Sequence, residues 1–109
     1  WPTAKAAATT SDPAEKKDEA WWRARISLAR VALERDRVMV TALESRVAAL
    51  TTDVTNRDDP AQRAVLMNER VRVLAELDRM RDQVAADVTA IAAIEEDARK
   101  SGVPPGWIR

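Results

Sequence analysis

The sequence predicts an all-α protein, an antiparallel two-helix coiled-coil hairpin with extended N- and C-terminal tails. Two long segments carry apolar residues in alternating steps of four and three, the spacing of a helix seam. A short polar break at 55–59 separates them, and breaks that short join antiparallel helices. Sheet and turn formers are scarce: Phe and Tyr are absent, and the 2 glycines, Gly102 and Gly106, both lie near the C-terminal end. A chain built from Ala, Leu, Val, Arg, Glu and Asp has the composition of long helices.

Residues 1–11 are small and polar with one proline, and read as a flexible linker. The hairpin proper is expected over 12–102. Its first helix should begin at Pro13, where Asp12 can cap the free backbone N–H groups and Glu15 completes a capping box. It should run to about Val54. Trp22, Ile26, Ala29, Leu33, Val40, Leu43, Val47, Leu50 and Val54 form its seam, interrupted only by Asp36. A second, weaker stripe of Ala24, Leu28, Val31, Val38, Ala42 and Ala49 faces the other way, since two positions along a helix turn it by about 200°. A lone hairpin can cover only one of these stripes, so Leu28, Val31, Val38 and Ala42 are candidates for a partner interface.

The tip follows at 55–59. Asp59-Pro60-Ala61-Gln62 repeats the device of Asp12-Pro13-Ala14-Glu15 and should start the second helix at Pro60. Asn56, Arg57 and Asp58 are left as an exposed tip whose side chains have no evident structural duty. Helix 2 should run to about Lys100, with Leu66, Val73, Leu77, Met80, Val84, Ile91, Ile94 and Ala98 on its seam and Arg70 and Asp87 in the gaps. Met67, Val71, Leu74 and Val88 widen that band. Glu69, Arg72, Glu76, Arg79 and Gln83 make a charged outer ladder. Placing the turn near Arg57 sets Val47 against Met67, Leu43 against Val71, Val40 against Leu74, Ile26 against Val88 and Trp22 against Ile91. In that register Asp36 lies beside Leu77 and Asp78, Arg70 beside Glu44, and Asp87 beside Ser27. Such polar seam residues can fix register and partner number. Each helix should be about 60 Å long at 1.5 Å per residue.

Ser101-Gly102 ends the second helix, with Arg99 and Lys100 suited to the negative end of its dipole. The Pro-rich tail over 103–109 should be stiff and extended. Trp21, Trp22 and Trp107 gather at the open end of the hairpin. Either the tail turns back as a clasp, seating Trp107 and Ile108 against Trp21 or Trp22 and Ile94, or the Trp-rich end is a docking site for another protein or a lipid surface.

Chemistry is excluded more firmly than it is suggested. There is no His and no Cys, no serine has a base placed beside it by a motif, and no Gly-rich phosphate loop occurs. Asp53, Asp58 and Asp59 lack the spacing and glycine of a calcium loop, and the run Glu95-Glu96-Asp97 points its carboxylates in different directions. No enzyme activity, catalytic residue, cofactor, metal or small-molecule substrate is therefore expected. The 18 basic and 18 acidic residues cancel and interleave, which leaves no basic stripe for nucleic acid and no driver for anionic membrane. No apolar run approaches the roughly 20 residues of a membrane span. The expected function is a non-enzymatic structural or interaction module that self-associates into a four-helix bundle, its partner being a second copy or another helical protein. The alternative is an envelope-associated adaptor docking on a membrane or larger complex through its Trp-rich end. The chain begins at Trp1 rather than Met, which implies a processed or truncated product.

Three segments, Asp18-Glu19-Ala20-Trp21-Trp22-Arg23, the tip from Asn56 through Ala64, and Gly102-Val103-Pro104-Pro105-Gly106-Trp107, resemble uncharacterised bacterial helical-hairpin proteins that are exported. Trp21 departs from the tyrosine expected there. The resemblance implies a periplasmic or cell-envelope setting, the other possibility being the cytoplasm. It implies no activity and no catalytic residues.

Overall fold

The computed structural model describes residues 16–109, and their architecture is an all-α hairpin. Helix α1 spans Glu19–Asn56, helix α2 spans Pro60–Lys100, and a short 3-10 turn covers Pro105–Ile108. The linker at 1–11 and the Asp12-Pro13-Glu15 start lie outside the described residues. Residues 16–18 are not helical, so α1 begins six residues later than Pro13. Asp18 caps it, its Oδ1 accepting the Trp21 N–H at 3.0 Å, and Glu19 pairs with Arg23 at 2.8 Å across the first turn. Charge explains the choice. A start at Pro13 would place Lys16 and Lys17 against the positive end of the helix dipole, whereas Asp18 and Glu19 complement it.

Helix α2 starts where the sequence places it. Asp59 is extended at φ −74°, ψ 120° and accepts the Ala61 N–H at 3.2 Å, while Pro60 occupies a first-turn position that has no N–H to satisfy. Its C-terminus closes on Gly102, whose φ of +71° is open to glycine at little cost. The Val103 N–H reaches the Ala98 carbonyl at 2.9 Å and the Gly102 N–H reaches that of Arg99 at 3.2 Å, which is the Schellman pattern. The tail is extended only through Pro104 (φ −58°, ψ 136°) before it turns into the 3-10 segment.

The seam lies on the residues that the spacing selects. Trp22, Ile26 and Leu50 of α1 and Leu77, Ile94 and Ala98 of α2 are buried, and the remaining apolar seam positions are half-buried. Ile26 is the largest side chain to be fully enclosed, and burial of such a side chain contributes about 1.5–3 kcal/mol. The pairing of the two seams, however, differs from the expected one by about one heptad of seven residues. Trp22 and Ile26 cluster with Ile94 and Ala98, with Ile91 packed at the cluster's edge and Val88 outside it. Met67, Val71 and Val88, expected to widen the core band, are exposed. Cross-helix bonds hold this register: Arg25 to Asp97 at 2.8 Å, Arg81 to Glu44 at 3.1 Å, Arg46 to Glu69, and Arg70 to the Thr51 hydroxyl at 2.9 Å. The cause lies at the tip. The seam of α1 ends at Val54 and that of α2 begins at Leu66, because the whole first turn of α2 stays exposed. The halfway point between those ends is Pro60, not Arg57.

In this register the polar residues of the seam take other partners. Arg70 meets Thr51 instead of Glu44, and Asp36 and Asp87 meet each other instead of Asp78 and Ser27. Of the outer ladder on α2, Glu76 pairs with Arg79, but Glu69 crosses to Arg46 and Gln83 turns inward to Asp87. The result is a body 67 Å long and 16 Å across its thinnest direction, a single layer of side chains between two helices.

Candidate functional site

Four places on the hairpin carry side chains that the helix pair alone does not explain. Among the described residues, no group of three or more acidic, His or Cys side chains is placed to hold a metal ion.

The first is the outer stripe of α1. Leu28, Val31 and Val38 stand 73%, 64% and 60% exposed, and Ala42 is exposed as well. They lie opposite the seam because a 3.6-residue period puts them there, and α2 cannot reach them. Glu34, Arg37, Val38, Thr41 and Ala42 border a shallow groove along this stripe. An acid and a base thus flank two apolar side chains.

The second is the open end. Trp22 is buried against Ile26, Ile94 and Ala98, and Trp21, Val103, Trp107 and Ile108 pack around that cluster. The Trp21 and Trp22 rings meet edge to face, their centroids 4.9 Å apart. The Arg25 guanidinium lies 5.6 Å from both rings and Lys17 lies 5.0 Å from that of Trp21. The tail is fastened further by Arg30, which donates to the Ile108 carbonyl at 2.6 Å. Structure therefore brings Trp21, Trp22, Trp107 and Ile108 together, with Trp22 innermost.

The third is the tip. Asn56, Arg57 and Asp58 are all exposed. Arg57 has one local duty: its backbone N–H closes α1 on the Val54 carbonyl at 3.4 Å, and its side chain borders a hollow with Gln62, Val65 and Leu66.

The fourth is a pair whose meeting the sequence did not reveal. Asp36 of α1 and Asp87 of α2 are 5% and 8% exposed and face one another inside the seam. The Oδ1 of Asp36 accepts from Arg35 Nε at 3.4 Å, and that of Asp87 from Gln83 Nε2 at 3.0 Å. The Oδ2 of each is buried without a donor. The Asp87 carboxyl across the seam raises that of Asp36 above its ordinary value, since a hydrogen shared between them favours the protonated form, with burial and the charge of Asp87 adding to it. Asp87 is lowered, first because it can accept the hydrogen held on Asp36 and then by the bond from Gln83. Both residues were visible as polar interruptions of an apolar seam. A register set by the seam ends instead of the loop centre places them within one helical turn of each other.

No family model matches the chain, and neither a curated protein nor a solved structure resembles it closely enough to count as a relative.

Proposed function

We propose that the protein is a non-enzymatic coiled-coil interaction module that pairs with a second copy of itself through the outer face of α1 to form a four-helix bundle. The observation that carries this reading is the exposure of Leu28, Val31 and Val38 along one line, on the face that the hairpin leaves uncovered. Large aliphatic side chains gathered in a row, as against scattered singly, mark an association surface. The stripe also suits a two-fold partner. Two copies laid antiparallel about a point between Glu34 and Arg35 set Val31 of one against Val38 of the other, and Leu28 beside Thr41 and Ala42. Glu34 of each copy then approaches Arg35 of the other, so each charge finds its opposite.

Docking through the Trp-rich end, on a membrane or a larger complex, draws less support. Trp22 is spent on the core and Trp107 and Ile108 pack beside it, which leaves Trp21 as the aromatic with a half-exposed ring on α1. No helix among the described residues is long and apolar enough to cross a membrane. A periplasmic or envelope setting accompanies this proposal on the strength of the resemblance alone.

Sedimentation equilibrium tests the proposal. The chain should sediment as a dimer in the micromolar range, and the triple variant L28S/V31S/V38S should sediment as a monomer with unchanged helical content. A monomeric parent well above micromolar concentration would remove the idea. Liposome flotation decides against the alternative if the protein stays at the bottom.

A further inference from the structure

We propose that Asp36 and Asp87 form a proton-binding site inside the hairpin, with one proton held between their two Oδ2 atoms, and that losing it as pH rises weakens the middle of the helix pair. Both carboxyl groups project from seam positions, on different helices, and each is more than nine-tenths buried. Each already has one oxygen engaged, and the oxygen left over on each is buried with no donor in reach. A buried polar atom without a partner is costly, and two acceptors cannot satisfy one another unless a hydrogen lies between them. A single shared proton satisfies both at once.

The charges around the pair call for the same occupant. From α1 the carboxyls are faced by Arg35, whose side chain is 71% exposed, and from α2 by Gln83, which is neutral. Two ionised carboxylates against one solvated cation leave an excess negative charge in the seam, and one proton removes it. A divalent cation does not suit the position. Calcium takes six or more oxygens and magnesium a near-ideal octahedron, whereas this seam offers two free carboxylate oxygens. The opposite directions of the two carboxyl shifts agree with a dyad that releases its protons in two separated steps.

The sign of the effect follows from those directions. Asp87, lowered in the folded chain, contributes stability that is present above the ordinary carboxyl value of 3.8 and lost as pH falls through its folded value. Asp36, raised in the folded chain, contributes stability that is present below 3.8 and lost as pH rises through its folded value. The dyad thus favours folding most in mild acid, where one proton is bound, and less at neutral pH, where the contribution of Asp36 is gone.

The experiment is a set of melting curves from about pH 4 to about pH 7 on the full chain and its Asp36→Asn and Asp87→Asn variants. Asparagine supplies a permanent donor and cannot ionise, so each variant keeps the shared-hydrogen arrangement at every pH. Each should melt several degrees above the parent at neutral pH, with the advantage shrinking steadily toward acid. A difference that stays constant across the range overturns the proposal, because a merely structural change would not follow pH. Carbon NMR titration of the two side-chain carboxyls in the unaltered chain gives an independent answer even if a variant fails to fold. Two well-separated steps support the dyad, and two coincident ordinary aspartate steps sink it. A rise in the parent's melting temperature on adding calcium chloride, absent from the variants, would make the site a cation site and overturn the proposal as well.

Discussion

The guanidinium of Arg30 donates to the carbonyl oxygen of Ile108 at 2.6 Å, joining α1 to a tail residue 78 positions further along the chain. That bond holds the 3-10 turn against the open end of the hairpin, where Trp107 and Ile108 pack on the buried cluster around Trp22.

The tail should therefore contribute measurably to stability. Trp107 is only half-buried, so Trp107→Ala should cost about 1–2 kcal/mol, below the roughly 3–5 kcal/mol of a fully enclosed aromatic. Deleting 103–109 should lower the urea midpoint further and shift the emission of the remaining tryptophans toward that of exposed indole. Unchanged emission and midpoint would show that the tail makes no working contact.

Ile26 and Leu28 are two residues apart on α1 and should respond in opposite ways. Ile26 is 1% exposed, and truncating it to alanine should cost about 2–5 kcal/mol. Leu28 is 73% exposed, and Leu28→Ala should change the stability of the single hairpin by no more than about 0.5 kcal/mol. Denaturant unfolding at concentrations too low for self-association separates the two, and comparable losses would mean that the face of α1 has been misassigned.

The glycines also divide. Gly102 sits at φ +71°, so Gly102→Ala should destabilise by about 1 kcal/mol although nothing lies within 4 Å of the added methyl group. Gly106 has the same empty surroundings without the positive φ, so Gly106→Ala should be neutral or stabilise by up to about 1 kcal/mol. Thermal melting of the two variants side by side checks the contrast.

How much of this was legible in the sequence depends on the range of the interaction concerned. The start of α2 at Asp59-Pro60, its stop at Gly102 and the membership of each seam rest on periods and caps a few residues long, and they were readable. The register of α1 against α2 was not, because it depends on how far each seam reaches into the turn. Val54 and Leu66 mark those limits, and the exposed first turn of α2 is an outcome of packing, not of propensity. The partnership of Asp36 with Asp87 was lost with the register. Of the candidate sites, the Leu28, Val31 and Val38 stripe follows from period alone and was readable for that reason. The start of α1 needed the balance between Lys16-Lys17 and Asp18-Glu19, which a capping pattern taken alone overlooks.

One ion pair on α2 should shape the acid limb of stability. The Glu96 carboxyl is held below its ordinary value by the bidentate bonds from Arg99, at 2.6 and 2.8 Å. A lowered folded value means that the contribution is present above the unfolded value of 4.5 and lost as pH falls through the folded one. Glu96→Gln should flatten that part of the acid limb, and the difference from the parent should fade in high salt because the pair is open to solvent. A difference that persists unchanged in salt and pH would assign Glu96 another role.

The most enclosed apolar cluster of this hairpin lies at its base. Trp22, Ile26, Ile94 and Ala98 gather there with the tail, while the half nearer the tip buries Leu50 and Leu77. The largest buried cluster thus joins stretches some seventy residues apart, while the tip half keeps single buried side chains between half-buried neighbours. A hairpin arranged this way does not close like a zipper pulled up from its turn. Its base cluster forms only when a loop of some seventy residues closes, at an entropic cost that rises only slowly with loop length. Once closed, the same arrangement lets the tip open and reclose repeatedly while the base stays shut.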